Sequence, residues 1–156
     1  MRRASTRPLR SYLRSGSGAA AVEFALVLPA LLVLVMGVFE YGRYLWTVNA
    51  LQQTVTVTAR CAGLLAPASG GTAGCATSGS FDSSKTKAFA EQLAGAYGVT
   101  LADSNLTVSH SATCASLTGF SQVSLNYTFT TVVPGLVKAM ANGYTISESA
   151  CFPNQS

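Results

Sequence analysis

The sequence predicts an α+β protein: a long N-terminal α-helix packed on a short antiparallel three-stranded meander, with one additional short helix. Three observations lead to this prediction. A long apolar run near the N-terminus continues into a stripe of apolar residues at helical spacing. Segments in the second half of the chain alternate apolar and polar residues, as half-buried strands do. A stretch rich in Gly, Ser and Ala separates the two regions.

Length and charge limit the classes of function. A chain of 156 residues has the size of one domain, and only 10% of its residues are charged. The net charge of +4 comes from residues 1–18, which contain five arginines and no acidic residue, so that five Lys/Arg and six Asp/Glu remain elsewhere. The basic balance therefore gives no support for binding of nucleic acid by the rest of the protein, and we expect no nucleic-acid partner.

The N-terminal region has the organisation of a membrane anchor. Residues 1–18 are basic, rich in Ser and Gly and without apolar periodicity, which predicts an unstructured cytoplasmic leader. The 21 residues 19–39 contain Glu23 as their only charge, and about 20 apolar residues cross a bilayer. We therefore predict a transmembrane helix over residues 19–40. The arginines before it place the N-terminus in the cytoplasm, and the rest of the chain is exported.

A cleaved secretory signal peptide is the alternative explanation of this run. The run is longer than the usual ~7–15-residue apolar region, and no small-x-small cleavage site follows in residues 36–43. Arg60 directly before Cys61 argues against a lipoprotein site. We therefore expect the segment to be retained, in contact with membrane lipid.

Glu23 and Pro29 are unusual in an apolar run of this kind, and the presence of each needs a physical explanation. A charged side chain in a membrane helix costs about 2.5–3.5 kcal/mol on insertion scales, so Glu23 calls for a partner or a function. Pro29 cannot donate a hydrogen bond to the carbonyl of Ala25, which predicts a helix kink. That Pro29 is merely a tolerated membrane-helix proline stays open.

Helical periodicity continues past the run and predicts an amphipathic extension over residues 41–64, on the exported side of the membrane. The apolar stripe consists of Tyr41, Tyr44, Leu45, Val48, Leu51, Val55 and Ala59. The opposite side carries Arg43, Asn49, Gln53 and either Thr56 or Thr58. We expect this half of the helix to pack on the head domain.

A flexible Gly/Ser/Ala linker is predicted over residues 65–82, followed by an α+β head domain over residues 83–156. Asp82, Ser83 or Ser84 can cap a short helix that Gly98 ends after Tyr97. Its apolar face is predicted to consist of Phe89, Leu93 and Ala96.

The strands are predicted at residues 104–112, 119–132 and 143–151, with the most regular alternation in the second. The connection over residues 133–143 is apolar for a loop. Two interpretations stay open: it folds back on the core, or it exposes a patch for a partner or the membrane surface.

The four cysteines predict disulfides rather than a metal site. They lie in the exported part and none is spaced as C-x-x-C. Three pairings are possible. We favour Cys61–Cys75, which bracket a flexible loop, and Cys114–Cys151, because the meander returns the end of the third strand to the start of the second. No metal and no cofactor is expected.

No catalytic constellation is evident. His110 and Glu148 share strand parity with core residues, but the second strand separates them and no Ser, Cys or Asp completes a site. We therefore expect that the chain is not an enzyme. Asn105-Leu-Thr and Asn126-Tyr-Thr match the glycosylation sequon, which is weak evidence in a chain this rich in Ser, Thr and Asn.

The N-terminal motif resembles a known family. Gly18, four small or apolar residues and then Glu23-Phe24 resemble the processing site of Flp-type pilins. The run GAAAVEFALVLPALLVLVMGVFEYGR, continuing to Ala59-Arg60, is similar to the TadE-like family of Flp, or tight-adherence, pilus-assembly proteins. The resemblance is strong over residues 16–63 and holds only in outline beyond. TadE-like, TadF-like and short TadG-like proteins share this pattern, and the sequence does not separate them.

The resemblance implies a pilin-like fold and the role of a minor pilin or pseudopilin in this type IV-like system, since the mature chain is much longer than a major Flp pilin. It implies that a prepilin peptidase cuts between Gly18 and Ala19. It also implies that Glu23, followed by Phe24, pairs with the Ala19 ammonium of a neighbouring subunit; that Glu23 only satisfies its own chain terminus is the alternative. The implied partners are the peptidase, other Flp subunits and the inner-membrane assembly platform.

The implied location is the bacterial inner membrane, crossed once, with incorporation into an extracellular pilus that serves adhesion or secretion. The runner-up interpretation is a signal-anchored periplasmic binding module with an uncleaved N-terminal helix. The two differ in whether the mature chain begins at Ala19.

Overall fold

A computed structural model of the chain describes residues 17–71, 74–131 and 144–155. The helices are α1 (Ser17–Gly63) and α2 (Ser83–Ala96), and a 3-10 turn follows at Asp103–Asn105. The strands are β1 (Ala76–Thr77), β2 (Ser80–Phe81), β3 (Leu106–Cys114), β4 (Leu117–Phe129) and β5 (Tyr144–Pro153). The predicted α+β class is confirmed: the structure has a long N-terminal helix, a short helix and a three-stranded antiparallel sheet.

The chain divides into two compact units, Met1–Phe39 and Glu40–Ser156. The described part of the first unit is the N-terminal half of α1. The second unit contains the rest of α1 together with α2 and the strands, and we call it the head unit. Its core brings together Leu51 and Val55 of α1, Ala90 and Ala94 of α2, and the inner side chains of the sheet.

The buried face of α1 in the head unit differs from the predicted stripe. Leu51, Val55 and Ala59 are buried as predicted, whereas Tyr41 and Leu45 are exposed. The face also includes Thr47, Thr54 and Thr58. Of the two candidates for the polar side, Thr56 is exposed and Thr58 is buried. A threonine fits a buried helix face when its hydroxyl donates to the carbonyl four residues back, as Thr47 and Thr54 do at 2.9 and 2.8 Å.

Helix α2 begins and ends where its capping residues predict. The Asp82 carboxylate accepts the backbone N–H of Lys85 at 3.1 Å and the hydroxyl of Thr77 at 2.6 Å, and these hydrogen bonds lower the pKa of Asp82. The helix ends at the C-cap Tyr97, and Gly98 has φ +79°, which a residue without a Cβ adopts at low cost. The buried residues are Thr86, Ala90 and Ala94, and none of them belongs to the predicted face. Of that face, Phe89 and Leu93 are half-buried and Ala96 is exposed, so the prediction was wrong.

The stretch predicted to be a flexible linker contains a minimal β-hairpin. β1 and β2 pair through Ala76↔Phe81 and Thr77↔Ser80, and the turn residues Ser78 and Gly79 both have positive φ. Two-residue strands leave almost no alternation to read in a sequence. The prediction that this stretch lacks regular structure was therefore wrong over Ala76–Phe81.

The main sheet is the predicted meander, in the order β3-β4-β5. β4 and β5 pair without interruption from Phe120↔Pro153 to Phe129↔Tyr144, whereas the pairing of β3 with β4 shifts register beyond Ser109. The apolar connection predicted over residues 133–143 lies outside the described residues.

Two disulfides close the head unit. Cys61 is bonded to Cys75 and Cys114 to Cys151, with Cα–Cα distances of 5.8 and 6.5 Å. This is the pairing that the sequence analysis favours. The second bond follows from the meander, because Cys114 ends β3 and Cys151 pairs with Gln122 near the start of β4.

Candidate functional site

The N-terminal half of α1 presents an uncovered apolar surface. The residues from Gly18 to Phe39 are exposed, apart from partial cover at Leu28 and Gly37. By length and composition α1 is the one helix in the described part of the chain that could cross a membrane, with a mean hydropathy of 2.5 in its most apolar window. An apolar surface of this length needs lipid or other apolar helices as its environment.

The predicted processing residues lie at the start of α1. The helix begins at Ser17, so that the peptide bond between Gly18 and Ala19 lies in the first turn. Both residues are exposed, and no side chain or distant backbone atom lies within 4 Å of the position that a Cβ would take at Gly18. Among the described residues, no side chain covers this bond.

Glu23 is exposed on the same helix, one turn after Ala19. Among residues 17–71, 74–131 and 144–155, no hydrogen bond or ion pair reaches its carboxylate, and the ion pair present there is the one between Arg43 and Glu40. Ala19 and Glu23 are spaced i, i+4 and so share a helix face. The carboxylate is therefore available to another molecule.

Phe24 and Pro29 complete the predicted set in this segment. Phe24 is exposed beside Glu23. α1 is continuous through Pro29, and the kink stays a prediction.

At the start of the head unit, a cluster of polar and aromatic residues ties α1 to the sheet. Arg43 Nη2 lies 3.0 Å from Glu40 Oε1 and also donates to the carbonyl of Thr130. The guanidinium lies 4.6 Å from the ring centroid of Phe129. Tyr44 meets Phe129 and Tyr144 edge to face, with centroids 5.5 and 5.6 Å apart. Partial burial raises the pKa of Tyr44, and the neighbouring Tyr144 raises it further.

Two concave surfaces lie on α1 in the head unit. A groove of about 250 Å³ lies beside Trp46, whose Nε1 donates to the carbonyl of Tyr97 at 3.1 Å. Asn49, Ala50 and Gln53 form the rest of its lining. A wider depression of about 440 Å³ lies beside Cys61, and Arg60 and Phe89 are among its lining residues. Within the described ranges no group of three His, Cys, Asp or Glu residues could hold a metal ion.

His110 takes part in a partly buried polar network rather than pairing with Glu148. Its Nδ1 lies 2.8 Å from Ser121 Oγ, and Ser121 is fully buried. Ser121 donates to Asn154 Oδ1 at 2.6 Å, and Asn154 Nδ2 donates to the carbonyl of His110 at 2.6 Å. The Phe81 ring stacks on the imidazole at 4.9 Å. Glu148 instead accepts a hydrogen bond from Gln52 at 3.3 Å.

The directions of these hydrogen bonds show what the network does. The His110 carbonyl can only accept, so the Asn154 amide must turn its oxygen toward Ser121. The Ser121 hydroxyl then donates to Asn154, which requires His110 to present Nδ1–H to Ser121. A histidine in this state cannot take the proton of Ser121, so the pair is not arranged as a base and nucleophile. It holds the C-terminal segment against β3 and β4.

Sequence reasoning assigned no role to Trp46, Ser121 or Asn154. Ser121 and Asn154 leave no local signal, because their partners are distant in the chain. Trp46 did leave a signal in the sequence, because it is the single tryptophan and lies seven residues after the apolar run.

The comparisons with known proteins agree with the N-terminal resemblance. A family model described as TadE-like protein matches residues 18–60, which covers the apolar run, Glu23 and most of the remainder of α1. The suspected family is thereby confirmed over this segment. No curated protein and no solved structure matches the chain.

Proposed function

We propose that this chain, which carries a TadE-like segment at residues 18–60, is a minor pilin or pseudopilin of a Tad (Flp) pilus. The family match supports a role associated with this pilus in general. The observation that carries the finer proposal is the open Glu23 carboxylate on an uncovered apolar helix, one turn after a Gly-Ala bond.

The proposed maturation step follows from that arrangement. A prepilin peptidase would hydrolyse the peptide bond between Gly18 and Ala19, releasing residues 1–18 and leaving a new α-amino group on Ala19. Gly18 and Ala19 present little bulk to a protease cleft. The cut removes the five arginines of the leader and places one cation close to the start of the apolar helix.

Glu23 would then act as the pairing group during assembly. In a bundle of such helices, its carboxylate faces the Ala19 ammonium of a neighbouring subunit, so that neither charge is left alone in an apolar environment. Breaking one partner of a buried ion pair costs about 3–5 kcal/mol, which is roughly a hundred-fold or more in an equilibrium constant. That is enough to control the recruitment of subunits.

The proposed location is the inner membrane, with the N-terminus in the cytoplasm and the head unit in the periplasm before assembly. The excess of arginine before the apolar run supports this orientation. The two disulfides fit a head unit that folds in an oxidising compartment. Proposed partners are the prepilin peptidase, other pilus subunits and the assembly platform, and the pilus serves adhesion or secretion.

Mass spectrometry of the mature N-terminus tests the maturation step. We expect a chain that begins at Ala19 in cells with the prepilin peptidase and a chain that retains residues 1–18 in cells without it. Retention of the leader in both strains would contradict the proposal and favour the alternative of a signal-anchored binding module.

The Glu23→Ala variant tests the pairing step. It should insert in the membrane as the wild type does, while the amount of pilus on the cell surface falls at least ten-fold. Glu91→Ala is the matched control, because it removes a carboxylate from α2 in the head unit. Normal piliation with Glu23→Ala, or an equal loss with Glu91→Ala, would contradict the assigned role.

A further inference from the structure

We propose that Tyr41, Leu45 and Trp46 form a collar that lies in the lipid headgroup region of the membrane and sets the height at which the head unit begins. The inference rests on the proposed membrane insertion of α1. The collar sets this height, which the apolar run alone does not do.

The exposure of these side chains is unusual for a folded head. Tyr41 and Trp46 are each 61% exposed and Leu45 is 41% exposed. In the described part of Glu40–Ser156, the large apolar side chains that are exposed number six, and half of them lie in this one short stretch of helix. The others are Leu64, Leu117 and Tyr144. Such a concentration marks an interaction surface rather than scattered surface residues.

Continuity with the apolar run identifies the occupant as lipid. Tyr41 follows Phe39 by two residues, and Trp46 lies about 10 Å further along the helix than Phe39 at about 1.5 Å per residue. The headgroup region extends about 5–8 Å beyond each side of the hydrocarbon. Side chains on a helix tilt toward its N-terminus, which brings the Trp46 ring back toward the hydrocarbon boundary. Tyrosine and tryptophan concentrate at this depth because their rings are apolar and their N–H or O–H groups are polar.

The Trp46 ring is held in place before it meets lipid. Its Nε1 donates to the carbonyl of Tyr97 at 3.1 Å, which links the collar to the end of α2. Asn49 and Gln53, which also line the groove, lie further along α1 from the apolar run than Trp46 does. The indole therefore anchors at one height with little further loss of conformational freedom.

The collar is aromatic rather than cationic. Arg43, the cation in this stretch, is engaged by Glu40, the Thr130 carbonyl and the Phe129 ring. The next cation on α1 is Arg60, about 25 Å further along the helix. The expected partner is therefore the neutral interfacial region of a bilayer, without a requirement for anionic lipid.

Fluorescence tests the collar directly, because Trp46 is the single tryptophan of the chain. The full-length protein is reconstituted in phosphatidylcholine vesicles, and insertion is checked by resistance to carbonate extraction. Quenching by aqueous iodide and by lipids brominated at shallow or deep positions of the acyl chain then reports the depth of the indole. The matched control is the double variant Trp46→Phe/Gln53→Trp, which moves the probe two turns along the same face, into the part of α1 expected in water.

We expect iodide to quench Trp46 several-fold less than the probe at position 53, and shallow bromine to quench Trp46 more than deep bromine. Replacing part of the phosphatidylcholine with phosphatidylglycerol should leave both results unchanged.

Three outcomes would overturn the collar while leaving insertion intact. These are equal iodide quenching at positions 46 and 53, protection that appears only with anionic lipid, and protection that is lost when protein is diluted into more lipid. The last would show that a second copy covers Trp46. Extraction of the protein by carbonate would instead overturn the proposed insertion and the collar together.

Discussion

Single residues decide which side of α1 is buried within the head unit, and Thr58 illustrates this. Helical spacing alone left it as one of two candidates for the solvent side, yet it is fully buried. Thr47 and Thr54 on the same face donate their hydroxyls to backbone carbonyls, whereas the hydroxyl of Thr58 has no hydrogen-bond partner among the described residues. A buried hydroxyl without a partner costs about 1–3 kcal/mol.

The Thr58→Val substitution should therefore stabilise the protein. Valine has nearly the same shape and carries no polar group, so we expect the free energy of unfolding to rise by about 1 kcal/mol. Chemical denaturation of the full chain in detergent micelles, followed by circular dichroism, measures the change. Thr54→Val is the control and should give no gain, because the Thr54 hydroxyl donates to Ala50 at 2.8 Å. Equal effects from the two variants would contradict the explanation.

At the scale of elements, the C-terminal end of α1 packs closely on the end of β5. A Cβ at Gly63 would lie 2.6 Å from Phe152 Cδ1 and 2.9 Å from the carbonyl oxygen of Pro153. The backbone N–H of Gln155 also donates to the carbonyl of Gly63 at 3.0 Å. Glycine is required here for close approach, and it brings the last residues of the chain against the helix.

We expect Gly63→Ala to lower the free energy of unfolding by about 1–3 kcal/mol, since the added methyl meets backbone as well as a ring. Gly95→Ala in α2 is the matched comparison: its Cβ would meet nothing within 4 Å, and alanine favours helix by about 0.5–1 kcal/mol. Thermal unfolding in micelles should therefore shift in opposite directions. A stabilising Gly63→Ala would show that the two elements separate in solution.

For the head unit as a whole, the two disulfides connect segments that local sequence does not join. Cys61–Cys75 attaches the β1–β2 hairpin to α1, and Cys114–Cys151 joins the end of β3 to β5. Trypsin distinguishes this pairing from the other two. Cys61 and Cys75 lie on one peptide, residues 61–85, whereas Cys114 and Cys151 lie on residues 88–138 and 139–156.

A non-reducing tryptic map should thus contain an internally linked peptide 61–85 and a linked pair of the other two. Any link from peptide 61–85 to another peptide would contradict the pairing. Replacing both cysteines of one bond by alanine should cost about 3 kcal/mol for Cys61–Cys75 and about 4 kcal/mol for Cys114–Cys151, because the second closes the longer loop. Denaturation of each double variant under oxidising conditions measures these losses.

Local periodicity was enough to predict the two helices, the three strands of the meander and the candidate assembly segment, but not the β1–β2 hairpin. The apolar run with Glu23, the alternation in β4 and the cap at Asp82 can each be recognised from residues close together in the sequence. Helices and strands have fixed periods, and a capping residue lies directly before its helix. The even cysteine count predicted disulfides, and the order of the meander favoured one of the three possible pairings. The family resemblance also lay in the continuous segment around Gly18 and Glu23.

The tertiary structure decided what depends on residues far apart in the chain. It placed Thr58 inside and Tyr41 and Leu45 outside, because the sheet and α2 cover only one side of α1. It enclosed Ser121 between His110 and Asn154, and it set Trp46 against Tyr97. These contacts follow no periodic pattern in the sequence, because each depends on how distant segments pack. Only the folded chain determines them.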